Sequence, residues 1–416
     1  MKKKTAKLIG IILAIFYVLL ITGGVFLVKS YKNNSSKTVL SEATASDNLS
    51  LGDKSQEENG ELGKLEQETS IDHLNEEAID RTNNVSKTEE LASDESLEEN
   101  IDDTTTSIRM MFTGDVYIGN YVSSKYDQKG IQGIISDNLL EQLVSADLTM
   151  VNQEFPFSIR GEQMEDKQYT FRVDPKKVTL LEELGVDIVS LANNHTLDYG
   201  IDALKDTFTT LTENGIAYVG AGNNLEEAKK TQYFEIQGKT IAVLSASRVI
   251  PVSNWAATSK SAGLFTTYDP TALLQEIEEA RGIADAVVVY VHWGLEHKEY
   301  PESYQRTMGK QFIDAGADVV IGSHPHVLQG FEYYNGKLIA YSLGNFIFSE
   351  TVKQTAMLSV EMDENNNFEF SVVPCSASNG KTSEFSDVLN NLSVYEYLSS
   401  ISEGVSINES GYIMKN

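Results

Sequence analysis

Short apolar runs alternate with amphipathic stretches beyond residue 108, and this alternation predicts an α/β domain with buried central strands. Six apolar runs rich in β-branched residues are predicted strands: residues 108–112, 148–151, 187–191, 241–244, 286–291 and 319–321. Four stretches with helical spacing lie among them: residues 175–184, 201–213, 271–281 and 304–315. Gly185, Gly215 and Gly316 follow three of these stretches, where a left-handed residue is expected to end each helix.

The pattern becomes β-rich after Tyr333. Residues 332–338 predict a hairpin around Asn335-Gly336, because this pair favours a tight two-residue turn. Apolar runs at 356–362 and 368–373 flank the polar segment 363–367 and predict a second antiparallel pair. We therefore expect one folded domain over residues 108–416.

The first 29 residues have the pattern of a membrane anchor. Four lysines precede an uncharged, mostly apolar run at residues 8–28. At about 1.5 Å per residue, a helix over this run spans roughly 30 Å, the thickness of a bilayer core. The basic residues favour the cytoplasmic side, so residues beyond 29 are expected to be extracytoplasmic. We predict a single-pass protein of the cell membrane, with a cleaved signal peptide as the alternative.

Residues 30–107 are polar and acidic and predict a disordered linker. Between residues 33 and 107 there are 20 acidic and five basic residues. The net charge of this segment, -15, is more than half of the chain's formal net charge of -28. Such a segment buries too little apolar surface to offset the entropy of ordering it. The acidic balance also lacks the basic footprint of a nucleic-acid-binding protein, so we expect no nucleic-acid partner.

The chain has one cysteine, Cys375, which excludes an intrachain disulfide and a thiolate-rich metal site. It follows the apolar run 370–374 and is predicted to be a buried small side chain.

Polar side chains with metal-ligand chemistry follow five of the predicted strands, and five of the six histidines are among them. They are Asp115, Glu154, Asn194 with His195 and Asp198, His292 with His297, and His324 with His326. The ends of strands in α/β folds are where ligands gather, and this N/O donor set suits Mn, Zn or Fe. Each piece alone has a simpler interpretation: a turn at Asp115, a core histidine at His292 and an exposed bystander at His297.

These segments together resemble the CapA family of bacterial capsule synthesis proteins, which is associated with poly-γ-glutamate. The resemblance is carried by Gly114-Asp115, residues 152–154, 190–200, 292–294, 322–329 and 342–346, all in order. The family is similar to calcineurin-like metallophosphatases. This implies a four-layer α/β/β/α sandwich with one or two metal ions at the sheet edges.

The resemblance also implies a role for each candidate residue. Asp115, Glu154, Asn194, His292, His324 and His326 would be metal ligands, with Glu154 as the bridging carboxylate. His195 would stabilise charge or deliver a proton, and Asp198 would orient it. Tyr117 stands where metallophosphatases usually have a histidine, so one metal position would be a ligand short.

The function that follows is a membrane-anchored, CapA-type protein acting in synthesis, export or trimming of an anionic surface polymer through a metal-dependent hydrolytic site. Membrane-embedded polymer synthase subunits would be its partners. An acidic protein needs local cations to gather such a polymer, and Arg172, Arg248 and His297 are the candidate contacts. Two alternatives stay open: a non-catalytic polymer-binding or assembly subunit, and a surface metallophosphoesterase.

Overall fold

The computed structural model describes residues 107–416. The predicted anchor, residues 1–29, and the predicted linker, apart from its last residue, lie outside the described residues. Within the described part of the chain, no helix is both long and apolar enough to cross a bilayer.

The strands of residues 107–416 are β1 (Ile108–Val116), β2 (Leu148–Gln153), β3 (Ile188–Ser190), β4 (Ala217–Val219), β5 (Ala221–Gly222), β6 (Gln232–Ile236), β7 (Lys239–Ser247), β8 (Gly263–Leu264), β9 (Ala286–His292), β10 (Val319–Ser323), β11 (Leu328–Tyr334), β12 (Lys337–Leu343), β13 (Asn345–Ile347), β14 (Val352–Met362), β15 (Phe368–Ser378), β16 (Lys381–Glu384), β17 (Val405–Ile407) and β18 (Ile413–Lys415). The α-helices are α1 (Asn120–Lys129), α2 (Asp137–Val144), α3 (Val178–Glu183), α4 (Gly200–Glu213), α5 (Leu225–Ala228), α6 (Thr271–Arg281), α7 (Ser303–Ala315) and α8 (Val388–Ile401).

Two mixed sheets contain most of these strands. Sheet 1 has the order β16-β15-β14-β1-β2-β3-β4, with β13 added beside the end of β1. Its strands β1 to β4 are parallel, and β14 to β16 join them antiparallel. Sheet 2 has the order β11-β12-β10-β9-β7-β6, with a parallel centre from β12 to β7. The predicted α/β class is therefore confirmed as a mixed, sheet-rich α/β fold.

Alternation along the strands divides the apolar side chains among three cores. In β1, Met110 and Phe112 pack into a core shared by strands of both sheets, whereas Met111 packs against helices α1 to α4. On the other face of sheet 2, strand residues pack against α6 and α7. Because both faces of the central strands are covered, these strands read as continuous apolar runs in the sequence. Helix α8 contributes Val394 and Leu398 to the shared core.

The predicted elements agree with the structure, and most strands extend beyond the predicted runs. The Asn335-Gly336 turn joins β11 to β12, with φ angles of 49° and 78°. Gly185, Gly215 and Gly316 all have the positive φ expected after a helix. Cys375 is fully buried, as predicted, and burial raises the pKa of its thiol.

One close backbone approach sets the position of the strand end that carries Asp115. A Cβ atom at Gly114 would lie 1.8 Å from the Gly344 carbonyl oxygen, and the backbone N–H of Asp115 donates to that same oxygen at 2.9 Å. Glycine at 114 therefore lets β1 end directly against the turn between β12 and β13.

Candidate metal centre

The strand ends of both sheets meet at one edge, where the predicted ligands lie. Asp115 is on β1 and pairs in register with Asn152 of β2. His292 is the last residue of β9 and pairs with Ser323 of β10. Parallel strands present their carboxyl ends at the same edge of a sheet, which brings these side chains together.

A first group of possible ligands is fully buried. Asp115, Glu154 and His292 each place one ligand atom within 4.8 Å of the others. The Asn152 amide lies among them and donates to Asp115 Oδ1 at 2.8 Å and to Glu154 Oε1 at 3.2 Å. Asn194 Oδ1 is 2.8 Å from His292 Nε2, so this predicted ligand adjoins the same group.

A second group lies beside the first. Glu296, His324 and His326 also place ligand atoms within 4.8 Å of one another. Asp115 Oδ2 is 3.1 Å from His326 Nδ1 and accepts from the backbone N–H of His324 at 3.4 Å. Asp115 is therefore the carboxylate that contacts members of both groups.

Some donor atoms of the two groups have no hydrogen-bond partner in the part of the chain that the structure describes, and a divalent cation would satisfy them. Among residues 107–416, Glu154 Oε2 and His324 Nδ1 are buried and have no hydrogen-bond partner. An unpaired buried acceptor is costly unless a cation or donor satisfies it. His324 and His326 also have positive φ angles of 97° and 60°, a strained backbone for a non-glycine residue that is found preferentially at functional sites.

Electrostatics keep most of these imidazoles neutral, the form that binds metal. Burial lowers the pKa of His292, and burial together with the nearby His326 lowers the pKa of His324 to about 3. Burial also lowers the pKa of His326, but the charges of Glu154 and Asp115 outweigh it and raise that pKa to about 10. Burial, followed by repulsion from Asp115, raises the pKa of Glu154. A bound cation would relieve this repulsion between carboxylates.

His195 and Asp198 form a separate buried pair next to these groups. His195 Nδ1 is 2.7 Å from Asp198 Oδ2, which also accepts from the backbone N–H of Phe171 at 2.7 Å. The Phe171 ring stacks on the imidazole at 3.9 Å. Lys167 forms an ion pair with Asp198, and its Nζ lies 3.1 Å from His195 Nδ1. Burial lowers the pKa of His195, and the hydrogen bond to Asp198 opposes this effect.

Tyr117 occupies the position where the resemblance implies a missing metal ligand, and its side chain packs among aromatic rings. Its ring stacks on Phe171 at 3.8 Å between centroids, and burial raises the pKa of its hydroxyl. The tyrosine therefore helps to hold the ring that covers His195.

The three predicted substrate contacts differ in their surroundings. Arg172 lies over the Tyr199 ring at 4.0 Å and donates to the Arg160 carbonyl oxygen at 3.2 Å. Exposed His297 and the ligand candidate His326 both line a cavity of about 330 Å³. Arg248 follows the last residue of β7, and its backbone N–H donates to the His292 carbonyl oxygen at 2.8 Å.

Several residues of the site were not predicted from the sequence. The Asn193 amide donates to Asn152 Oδ1 at 3.2 Å and so joins the loop after β3 to β2. Asn345 Oδ1 accepts from His326 Nδ1 at 2.8 Å, and Glu296 completes the second group. Asn152, Asn193 and Asn345 all lie within the segments that carry the family resemblance, and that position was the available signal. Glu296 lies on an exposed loop between two histidines, where a solvated carboxylate is the ordinary interpretation.

Comparison with known proteins agrees with the resemblance. A family model described as "Bacterial capsule synthesis protein PGA_cap" matches residues 109–350. The PGA biosynthesis protein CapA of Bacillus subtilis strain 168 is 35% identical over 269 residues, which cover 63% of this chain and 70% of that protein. The capsule biosynthesis protein CapA of Bacillus anthracis is 32% identical over 301 residues, which cover 70% of this chain and 72% of that protein.

A solved structure of a hypothetical protein from Thermus thermophilus superposes with a TM-score of 0.42 at 19% identity, covering 65% of this chain and all of that one. The family model spans more than half of the chain, and its motifs supply the residues that meet at the sheet edge. The chain therefore belongs to the bacterial capsule synthesis protein family PGA_cap.

Proposed function

We propose that this chain is a membrane-anchored capsule synthesis protein whose folded domain carries a metal-dependent hydrolytic site. Its substrate would be an anionic surface polymer of the poly-γ-glutamate type, during synthesis, export or trimming. The observation that carries the hydrolytic part is the buried N/O donor set in which Glu154 Oε2 and His324 Nδ1 have no partner among the described residues. The basic and apolar pattern of residues 1–29 supports the anchor.

The layering of the domain supports the α/β/β/α sandwich that the resemblance implies. One core lies between the two sheets, and a further core lies between each sheet and its own helices. This arrangement brings the strand ends of both sheets to the same site.

Six predicted ligands and Glu296 would hold the ion or ions: Asp115, Glu154, Asn194, His292, His324 and His326. When bound, a divalent ion supplies Lewis-acid chemistry and makes water more acidic. The carboxylates of Asp115 and Glu154 match the charge of such an ion, and the neutral imidazoles of His292 and His324 leave nitrogen lone pairs for it.

His195 is the residue placed to move a proton. Asp198 holds Nδ1, so Nε2 is the ring nitrogen left to exchange a proton with a leaving group. The stacked Phe171 ring and Lys167 fix the orientation of the imidazole and keep bulk water from its face. Asp198 is a positioning residue, because it acts through His195.

The first test is metal content, measured by elemental analysis on the full-length chain purified in detergent. We expect one or two equivalents of Mn, Zn or Fe per chain, because the described part of the chain contains two groups of ligand atoms. The double variant His324→Ala/His326→Ala should lose the ion of the second group, because it removes two of the three residues of that group. The single variant His297→Ala is the matched control and should retain it, because His297 belongs to neither group.

A folded wild-type chain that stays metal-free after supplementation would contradict the hydrolytic proposal and favour a polymer-binding or assembly subunit. If metal is present, cleavage of poly-γ-glutamate into shorter chains is the next measurement. Cleavage of phosphoesters without any cleavage of the polymer would instead identify a surface phosphoesterase.

A further inference from the structure

Arg248 lies at the same sheet edge as the candidate ligands. The preceding residue, Ser247, pairs in register with His292 across β7 and β9. The backbone N–H of Arg248 then donates to the His292 carbonyl oxygen at 2.8 Å. Neighbouring strands are about 4.8 Å apart, so the backbone of Arg248 lies one strand spacing from that of the candidate ligand His292.

Two tyrosines hold the Arg248 guanidinium. Its central carbon is 4.3 Å from the Tyr268 ring centroid and 5.2 Å from the Tyr304 ring centroid. Each tyrosine is anchored through its hydroxyl, which accepts from the backbone N–H of Ile250 at 3.2 Å and of Gly294 at 2.6 Å, respectively. The fork of N–H groups is therefore oriented before any ligand arrives, which reduces the entropy lost on binding.

Arg248 also lacks the acceptor that every other arginine of residues 107–416 has. The others pair with side chains or carbonyl oxygens: Arg109 with Ser145, Arg160 with Asp206, Arg172 with the Arg160 carbonyl, Arg281 with Asp318, and Arg306 with Glu332 and Glu403. Among the residues that the structure describes, the buried Arg248 Nε has no hydrogen-bond partner, and neither has Oγ1 of Thr267, the residue before Tyr268. A buried donor without an acceptor is costly and indicates a missing ligand.

We propose that Arg248 binds a carboxylate group of the polymer, namely the free α-carboxylate that each γ-linked glutamyl unit carries; this rests on the proposed function. A guanidinium donates two parallel hydrogen bonds to a carboxylate, and the two aromatic faces fix the plane in which it does so. The chain has a formal net charge of -28 and repels a polyanion at long range, so an unpaired local cation is needed to retain one. By binding this carboxylate, Arg248 would hold one glutamyl unit of the polymer at a fixed position beside the candidate metal centre.

The test compares two soluble probes by calorimetry on the metal-loaded, full-length chain. One probe is an oligo-γ-glutamate, and the other is the same oligomer with its α-carboxylates converted to amides. We expect Arg248→Gln to bind the carboxylated oligomer about tenfold to a hundredfold more weakly, the loss typical of a charge-assisted pair. The same variant should bind the amidated oligomer as the wild type does.

Two further variants make the result specific. Arg248→Lys keeps the charge but loses the planar fork, so its affinity should lie between those of the wild type and Arg248→Gln. Arg109→Gln is the matched control. It removes one arginine near the start of β1, whereas the candidate ligand Asp115 lies near the end of that strand, so both affinities should stay unchanged. Thermal unfolding of each variant establishes that it is folded before binding is compared.

The outcomes separate this inference from the proposed function. Equal binding of the carboxylated oligomer by wild type and Arg248→Gln would overturn the role of Arg248 and leave the polymer substrate standing. A wild type that binds neither oligomer would overturn both. Binding of inorganic phosphate that depends on Arg248, with no such dependence for the oligomer, would assign the residue to a phosphate group instead.

Discussion

In the proposed function the His195 imidazole transfers a proton and does not bind metal, and this distinction can be tested at a single residue. We expect His195→Gln to lower turnover of the polymer by about a hundredfold, within the usual contribution of a general acid or base. Metal content should stay at the wild-type level, because His195 belongs to neither ligand group. Elemental analysis beside a chain-length assay measures both quantities, and loss of metal in this variant would show that His195 is a ligand instead.

At the residue scale, the sequence located the strand-end side chains but not the contacts among them. His292 and Asp115 follow apolar runs, so their place at a sheet edge could be predicted from the pattern. The Asn152 amide, which joins Asp115 to Glu154, could not, because its partner depends on which strands are neighbours. The unpaired state of Arg248 also depends on tertiary packing, since a sequence does not show which acceptors are missing.

At the element scale, one buried carboxylate joins a helix to two strands. Glu332 of β11 forms ion pairs with Lys310 and Arg306 of α7, at 2.7 and 3.4 Å. It also accepts from the Tyr341 hydroxyl of β12 at 2.7 Å. The two cations are about a third exposed, at 35% and 31%, so solvent weakens each pair, but the carboxylate itself is 5% exposed.

We expect Glu332→Gln to lower the free energy of unfolding by about 2 kcal/mol, because it removes charged hydrogen bonds and leaves two cations facing a neutral group. Urea denaturation measures this change. Glu364→Gln lies in an exposed turn and is the matched control, with an expected change within about 0.5 kcal/mol. Equal effects of the two substitutions would contradict a stabilising role for the Glu332 contacts.

Elements with strong local signals could be predicted, whereas their order in the sheets could not. Helix α6 was predicted with the bounds observed, since its apolar residues recur at helical spacing. Strand β1 lies between β2 and β14, and its pairing partner in β14 is about 250 residues away along the chain. No local pattern encodes such a pairing, because its energy comes from the core that the two sheets share.

At the scale of the whole molecule, the candidate ligands come from both sheets, and an ion would therefore link them. In sheet 1, Asp115 lies near the end of β1 and Glu154 directly follows β2. In sheet 2, His292 is the last residue of β9 and His324 directly follows β10. A ligand that binds only the folded state, at a hundred times its dissociation constant, stabilises that state by about 2.7 kcal/mol. We expect a chelator to lower the melting temperature by roughly 5 °C.

Scanning calorimetry of the full-length chain, with and without the chelator, measures this shift. The double variant His324→Ala/His326→Ala is the control and should show a smaller shift, because it removes two of the three residues of the second group. A shift as large in the double variant as in the wild type would place the stabilising ion outside the second group.

The burial of Cys375 makes the surface of the described domain free of reactive thiols. The chain has no other cysteine, and the thiolate needed for alkylation is disfavoured at this site. A single cysteine introduced at an exposed position, such as Ser410→Cys in the turn before β18, would be the one group that a maleimide modifies readily. With a reagent that cannot cross membranes, labelling of intact cells would report directly on which side of the bilayer the domain lies.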